Sequence, residues 1–361
     1  DFYDPRTDSG IEGAAASLID GKIYVSNGYR YYDSSLLSVY DIQTNTWTHD
    51  SSLLPNAPYG LSETGGATAN GKHYVLGGRG AESKLQEYDP VTNTWTVKAD
   101  LPYNIEGFGA ASWDDKVYLV SRKGTAVWDP DTNAWTTLAT MPNYLVRTEA
   151  TVALDGKIYV FGGRDDNQGG VSVSTVQIYD IATDTWSLGT DMPTPRFAAL
   201  AGVIDGKIAV FGGYDDYVGY NYSATEFYDP QTDTWTTGPD MVWGASEIAQ
   251  GVIFDETGVY AMGSGIYGIS LTYAQHLDSL QGVHRVTLAA DDGEIHLDFG
   301  SAQQLWDMDV QSSVSQFPVD NLTGVVENVA AGQTVSFDIQ MTGDGDGHAF
   351  DLQFMVDQNI V

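Results

Sequence analysis

Five times in this chain a Tyr-Asp or Trp-Asp pair is followed by a tryptophan seven residues after the aromatic: Tyr40/Trp47, Tyr88/Trp95, Trp128/Trp135, Tyr179/Trp186 and Tyr228/Trp235. The copies lie 40 to 51 residues apart, the period of a repeat architecture rather than of one irregular domain. Between aromatic and tryptophan run stretches such as DPVTNT (89–94) and DPDTNA (129–134), whose Asp, Pro and Asn are what a tight turn between antiparallel strands demands. Their carboxylates are assigned to the turn backbone in preference to calcium.

Ahead of each pair an apolar strand ends in glycine, at 21–28 (GKIYVSNG), 71–78 (GKHYVLGG), 156–163 (GKIYVFGG) and 206–213 (GKIAVFGG), with weaker copies at 115–121 and 258–265. The run Ile158, Tyr159, Val160, Phe161 is apolar without alternation, as expected of an inner strand covered on both faces. Gly162 and Gly163 mark where such a strand leaves a crowded axis, because a residue without Cβ accepts positive φ and close approach. Double glycine, Tyr-Asp and Trp in this order resemble the kelch family of β-propellers over roughly residues 1–280. The resemblance implies an all-β fold, and six strands of the GKIYVFGG type set the expectation at six blades. Propellers of this kind include sugar-processing enzymes, peptide-binding adaptors and surface structural proteins. The copper radical oxidases among them need a Cys joined to a Tyr, and this chain has no cysteine.

The opening residues 2–8 (FYDPRTD) match the third-strand segment 227–233 (FYDPQTD), so they are expected to complete the last blade and close the ring. Residues 269–277 (ISLTYAQHL) are the alternative for that strand, in which case one is displaced or Asp1 marks a cut inside a longer precursor. The domain reading is a propeller over 1–280 and a small C-terminal β-sandwich-like module over 281–361. In the latter, 283–289, 294–299, 306–310, 334–341 and 348–356 read as short strands.

A net charge of −33 disfavours nucleic acid and anionic membrane surfaces, because both recruit Lys and Arg. All but 11 of the 49 acids are aspartate, a surface compatible with a saline or calcium-containing medium. Without cysteine there are neither disulfides nor cysteine-ligated zinc. No stretch is long and apolar enough to span a bilayer, and no signal peptide opens the chain, so any such signal is expected to have been removed or never made. Asn221 and Asn321 head glycosylation sequons. Acidity, abundant tyrosine and the lack of cysteine place the protein outside the cell or on its surface.

The loops carry the candidate chemistry. Glu12, Glu63, Glu106, Glu149 and Glu247 each precede a Gly-Lys strand or its equivalent, so five of 11 glutamates are expected to share one structural slot. The remaining blade has Arg196 nearby, closest to the kelch pattern. Loops after the glycine position begin with Arg30, Arg79, Arg122, Arg164 or, once, Tyr214, so four of eight arginines sit at matching positions. In the topology that the resemblance implies, both sets surround the channel mouth. Three readings stand together: structural ion pairs between blades; a glycan- or ligand-binding ring, with tyrosines for stacking; and a carboxylate pair acting as general acid and base on an acidic sugar, as in kelch-type mutarotases, with Glu149 and Arg164 as candidates. Calcium is the one possible cofactor. Asp344, Asp346 and Asp351 alternate with glycine in the tail, where a hairpin turn is the competing and stronger reading. The six histidines lack ligand spacing and are assigned to core or surface. The expected role is binding or assembly in a filament, layer or matrix rather than catalysis. Its partners are other proteins, glycans or copies of the chain itself, the last engaged through the C-terminal strands.

Overall fold

In the computed structural model, residues 12–240 are described apart from 31, 45, 216, 218 and 239, followed by residue 246 and the backbone of short strands between 253 and 356. Five four-stranded antiparallel blades follow one another. The first is Ala15–Ile19, Lys22–Ser26, Leu37–Asp41 and Thr46–Thr48. The second is Gly65–Ala69, Lys72–Leu76, Leu85–Asp89 and Thr94–Val97, and the third Gly109–Trp113, Lys116–Ser121, Gly124–Asp129 and Ala134–Leu138. The fourth is Thr151–Leu154, Lys157–Phe161, Val176–Asp180 and Thr185–Gly189, and the fifth Leu200–Ile204, Lys207–Phe211, Thr225–Asp229 and Thr234–Thr237. Among the described residues no helix is long and apolar enough to cross a membrane.

The first strands of successive blades lie side by side, so they, not the Gly-Lys strands, are innermost. This corrects the sequence reading: Lys157–Phe161 stands second from the axis, behind Thr151–Leu154. The innermost strands are instead rich in Gly, Ala, Ser and Thr, because blades crowd there. A Cβ on Gly109 would come within 2.0 Å of the Thr151 hydroxyl in the next blade.

The seven-residue spacing is the register of the outer hairpin. Tyr40 and Trp47, Tyr88 and Trp95, Trp128 and Trp135, Tyr179 and Trp186, and Tyr228 and Trp235 are direct cross-strand partners. In the four Tyr/Trp pairs the rings sit 5.1–5.2 Å apart at 44–45°. The turn aspartate caps its own backbone, as Asp89 does for Val91 and Thr92. The residue two before the tryptophan takes a left-handed φ, 54° at Asn93 and 53° at Asp184 and Asp233, and does more than turn the chain. Asp184 accepts the Tyr179 hydroxyl at 2.7 Å and the Ala139 N–H of the preceding blade's exit at 2.7 Å. Asp233 does the same with Tyr228 at 2.6 Å and Thr190 at 2.7 Å. Both carboxyls are held below the usual range, first by the backbone N–H and then by the tyrosine hydroxyl. The tryptophan closes the clamp: its indole N–H donates to Pro55, Ala99, Ala139 or Thr190 carbonyl oxygen in the stretch leaving the previous blade.

The glycine that ends the strand motif also links blades. Gly28, Gly78 and Gly163 donate their N–H to the Leu61, Ile105 and Arg196 carbonyls of the following blade. Between blades lie the apolar cores; fully buried Trp128, for example, packs on Tyr74 across the second interface, with centroids 5.1 Å apart.

Beyond the fifth blade, Ile253–Asp255, Gly258–Met262, Ala274–Asp278 and Val283–Val286 form another four-stranded antiparallel sheet, whose first strand lies beside the innermost strands of both the first and fifth blades. Its third strand overlaps the 269–277 alternative, while residues 1–11, which hold the other candidate, lie outside the described residues. Val283–Val286, read from sequence as the start of the tail, pairs here with Ala274–Asp278. The tail contributes a hairpin of Leu288–Ala290 with Gly293–Ile295, and a three-stranded sheet in the order Trp306–Met308, Ala349–Val356, Thr334–Gln340.

One histidine is committed to an interface. His73 is fully buried between the first two blades, with Nδ1 2.8 Å from Ser17 Oγ and Nε2 2.8 Å from Ser26 Oγ. Ser17 Oγ donates to Ala67 O, so it accepts from Nδ1–H, while the single Ser26 hydroxyl proton stands between Nε2 and Asn27 Oδ1, the latter at 3.1 Å. Burial holds the ring neutral, with its pKa pushed down to about 3 from 6.5. Above pH 6.5 this costs nothing. Below it the unfolded chain binds a proton that the folded chain refuses, so stability falls with pH down to the folded value.

Two outcomes follow. Between pH 6.5 and 4.5, above most of the carboxylate range, unfolding free energy by urea titration should drop by up to about 1.4 kcal/mol per pH unit, and His73→Gln should flatten that slope. Asp184→Ala should cost about 2 kcal/mol at pH 7, more than Asp184→Asn, which keeps an acceptor for Ala139 N–H and Tyr179.

Candidate binding face at the channel mouth

The two loop sets meet as their positions imply. Isolated bridges join Glu12 to Tyr29, Ser62 to Arg79, Val146 to Arg164 and Phe197 to Tyr214, so the segment entering each of these four blades runs beside the loop after its second strand. Next to each bridge one residue is left-handed: Gly13 (57°), Glu63 (52°), Arg147 (56°) and Ala198 (50°), with Gly107 (56°) at the matching place in the third blade. This twist turns the backbone tangentially. Thr64 N donates to Gly13 O at 3.1 Å, Gly107 N to Glu63 O at 3.4 Å, Arg147 N to Gly107 O at 2.7 Å and Ala198 N to Arg147 O at 3.3 Å. The belt holds three non-glycine residues in a conformation that costs each about 1 kcal/mol or more.

Against that backbone register the glutamates do not share one slot, which corrects the sequence alignment. Glu63 occupies the left-handed position, Glu12 and Glu106 the one before it, and Glu149 lies two beyond it. Aligning on the acid had hidden the backbone constraint. What the fold does bring together is a chain of charges. Asp33 Oδ1 accepts from Ser62 Oγ at 2.5 Å and stands 3.4 Å from Arg79 Nε. Arg79 Nη1 lies 3.7 Å from Glu63 Oε1, which in turn is 3.2 Å from Arg147 Nη2. Arg147 Nη1 ends the chain 3.9 Å from Glu149 Oε1, and Glu149 is buried.

A second group lies beside it. Asp166 bridges Arg122 at 3.6 Å and Arg164 at 3.5 Å, and Arg164 Nε donates to Gly170 O at 3.0 Å. The guanidinium groups stack on aromatics: Arg79 on Tyr29, Arg122 on Tyr144 and Arg164 on Phe197. Tyr214 meets Phe197 edge-on at 5.5 Å. Exposed Tyr32, Tyr144 and Tyr217 stand on the same loops.

Arg196 does not belong to the mouth. It is completely buried, donates to Gly212 O and Ala224 O at 2.9 Å, and pairs with Glu226 at 3.0 Å, so its guanidinium ties down the long loop of the fifth blade. Asn221 accepts from Ser246 Oγ at 2.9 Å. Asp351 lies within a strand, opposite Asp338, rather than in the turn. Glu247, Asn321, Asp344, Asp346 and the Arg30 side chain lie outside the described residues. Among the described residues no group of three or more His, Asp or Glu is placed to hold a metal ion. Sequence reasoning missed Arg147, Asp33 and Asp166; the RTE run at 147–149 signals the first, since it sets a cation two residues from a chosen acid.

Removing Arg147 leaves Glu63 and buried Glu149 without their shared cation. Arg147→Met should cost about 2 kcal/mol by urea denaturation, and adding Glu63→Gln should recover part of it; strict additivity of the two substitutions would show no coupling.

The same architecture occurs elsewhere. Residues 120–249 match the family model described as the KLHDC2/KLHL20/DRC7 kelch-repeats domain. Kelch-like protein terF of Aspergillus terreus is 28% identical over 228 residues, 55% of this chain and 49% of that protein. Kelch repeat and BTB domain-containing protein 8 of Xenopus tropicalis is 28% identical over 186 residues, 48% of this chain and 30% of its own length. Beta-scruin of Limulus polyphemus is 25% identical over 222 residues, 55% of this chain and 24% of its own. The matched regions thus span about half or less of these relatives. The solved structure titled "Structure of YjhT" superposes with a TM-score of 0.61 at 15% identity, covering 75% of this chain and 96% of that one, a likeness of fold alone. With its repeats, clamps and these relatives in view, the chain carries kelch repeats in a β-propeller, matched by the family model over residues 120–249.

Proposed function

We propose that this chain is a six-bladed binding propeller, displayed outside the cell, that engages other proteins or copies of itself. The observation that carries the binding reading is the convergence of Arg79, Arg122, Arg147 and Arg164, half the arginines of a chain with net charge −33, on one loop face beside exposed tyrosines. Arginine and tyrosine are the side chains that dominate protein-binding hot spots. The sheet between the first and fifth innermost strands supports six blades. The acidic, cysteine-free composition supports an extracellular setting. For assembly, Thr334–Gln340 is an outer strand of its sheet and offers an edge to a second copy. Glycans are the alternative occupant of the mouth.

A second reading, general acid and base chemistry on an acidic sugar, is favoured by Glu63 and Glu149 sharing Arg147. It requires turnover that disappears in Glu149→Gln or Arg164→Ala while folding is kept.

Selection from a random peptide library should yield binders that lose about tenfold or more in affinity for Arg79→Ala/Arg122→Ala/Arg164→Ala. Binders indifferent to all three substitutions would overturn the mouth as the site. Light scattering at native salt, with and without calcium, should show assemblies larger than one chain that depend on 288–361; a strict monomer at high concentration in both conditions would remove the assembly role.

A further inference from the structure

One surface of the tail is built to be covered. In its three-stranded sheet Ala349–Val356 is central, flanked by Trp306–Met308 and Thr334–Gln340. Directly paired residues share a face, and successive residues along a strand alternate between faces. The register pairs Val335 with Phe354, Phe337 with Leu352 and Ile339 with Phe350. On the other flank it pairs Met308 with the same Phe354 and Trp306 with Val356. All these positions fall on one face, and every one is apolar. Asp307, Asp338 and Asp351 fall on the opposite face, together with Ser336 and Gln353.

A sheet that is apolar on one face needs a second layer against it. Among the described residues of 288–361 the other paired strands are Leu288–Ala290 and Gly293–Ile295, three residues each and too short to cover that face. A second copy of the chain offers a layer of matching size. An aromatic residue brings about 150 Å² or more to an interface, and the face holds Trp306, Phe337, Phe350 and Phe354. With the aliphatic positions this amounts to on the order of 800 Å² per chain, the area of a stable interface. Charge selects the same face. Between 288 and 361 there is no Lys or Arg, so two tails have no ion pairs to offer each other and repel wherever their acids meet. The apolar face is where two copies can meet without opposing like charges.

We infer that two copies of this chain stack these sheets face to face, about 10 Å apart, as a two-layered sandwich about a two-fold axis. The inference rests on the self-association reading above and gives it a surface, the apolar face of the sheet rather than the edge of Thr334–Gln340. A contact of this kind is closed, so it stops at two chains.

The chain has no cysteine, so a single introduced one reports on its own position. Light scattering on the full chain should give the mass of two copies, and added salt should tighten the pair by screening the acids around it. Phe337→Asp/Leu352→Asp should reduce the mass to one copy. Ser336→Asp/Gln353→Asp, which adds the same charge to the opposite face, should leave it at two. Leu352→Cys puts no charge into the face and so answers for a tail that the aspartates unfold. Its labelling by a maleimide should slow by about tenfold or more as concentration rises and pairs form, while Ser336→Cys should label at one rate throughout. Association that leaves Leu352→Cys open to label at every concentration overturns the inference but keeps the self-association reading, carried by another contact. Protection of Leu352→Cys that dilution does not relieve shows the chain covering its own face, and overturns the inference as well. A wild-type chain that stays single at high concentration removes both.

Discussion

The fold hangs on a tangential clamp. At four successive interfaces a tryptophan indole donates to a carbonyl in the stretch leaving the previous blade. At three of them the left-handed Asn or Asp two residues earlier takes a backbone N–H from the same stretch. A four-stranded sheet has two apolar faces and covers neither by itself, so a blade is stable only between neighbours. The clamp positions those neighbours at the periphery, the double-glycine N–H does so on the loop face, and the left-handed belt does so around the mouth. The charged mouth is thus built on loops held at both ends by bonds between blades.

The parts of this arrangement legible in the sequence were those confined to one hairpin. Tyr88 and Trp95 sit opposite each other because the intervening turn has a fixed length, and length is visible in a string of letters. Partners some 35 to 50 positions away are not. Asn133 reads as a turn residue within 129–134, but its side-chain oxygen also accepts the Ala99 N–H, which belongs to another repeat. The innermost strands escaped notice because crowding selects small residues, which carry no hydrophobic period. Loop alignment failed for a related reason: the shared feature is the sign of φ, and Gly13, Glu63, Arg147 and Ala198 satisfy it with four unrelated side chains.

The same lesson separates Arg196 from the other arginines. Arg196, in the segment entering its blade, spends its donors on backbone carbonyls and Glu226, while Arg79, Arg122 and Arg164, in the loops after the second strands, keep partly exposed guanidinium groups over aromatic rings. Burial decides the difference: the loop over 212–224 turns the Gly212 and Ala224 carbonyls onto Arg196 and encloses it.

Each clamp, glycine link and belt bond joins a blade only to its neighbours, and the same bond types recur from one interface to the next. None of them therefore counts. A ring with one repeat duplicated or excised would retain every kind of local contact, and only the angle subtended at the axis would object. Blade number in such a protein is a property of closure, written into the wedge shape of the small-residue inner strands and not into the motif by which the repeats are recognised.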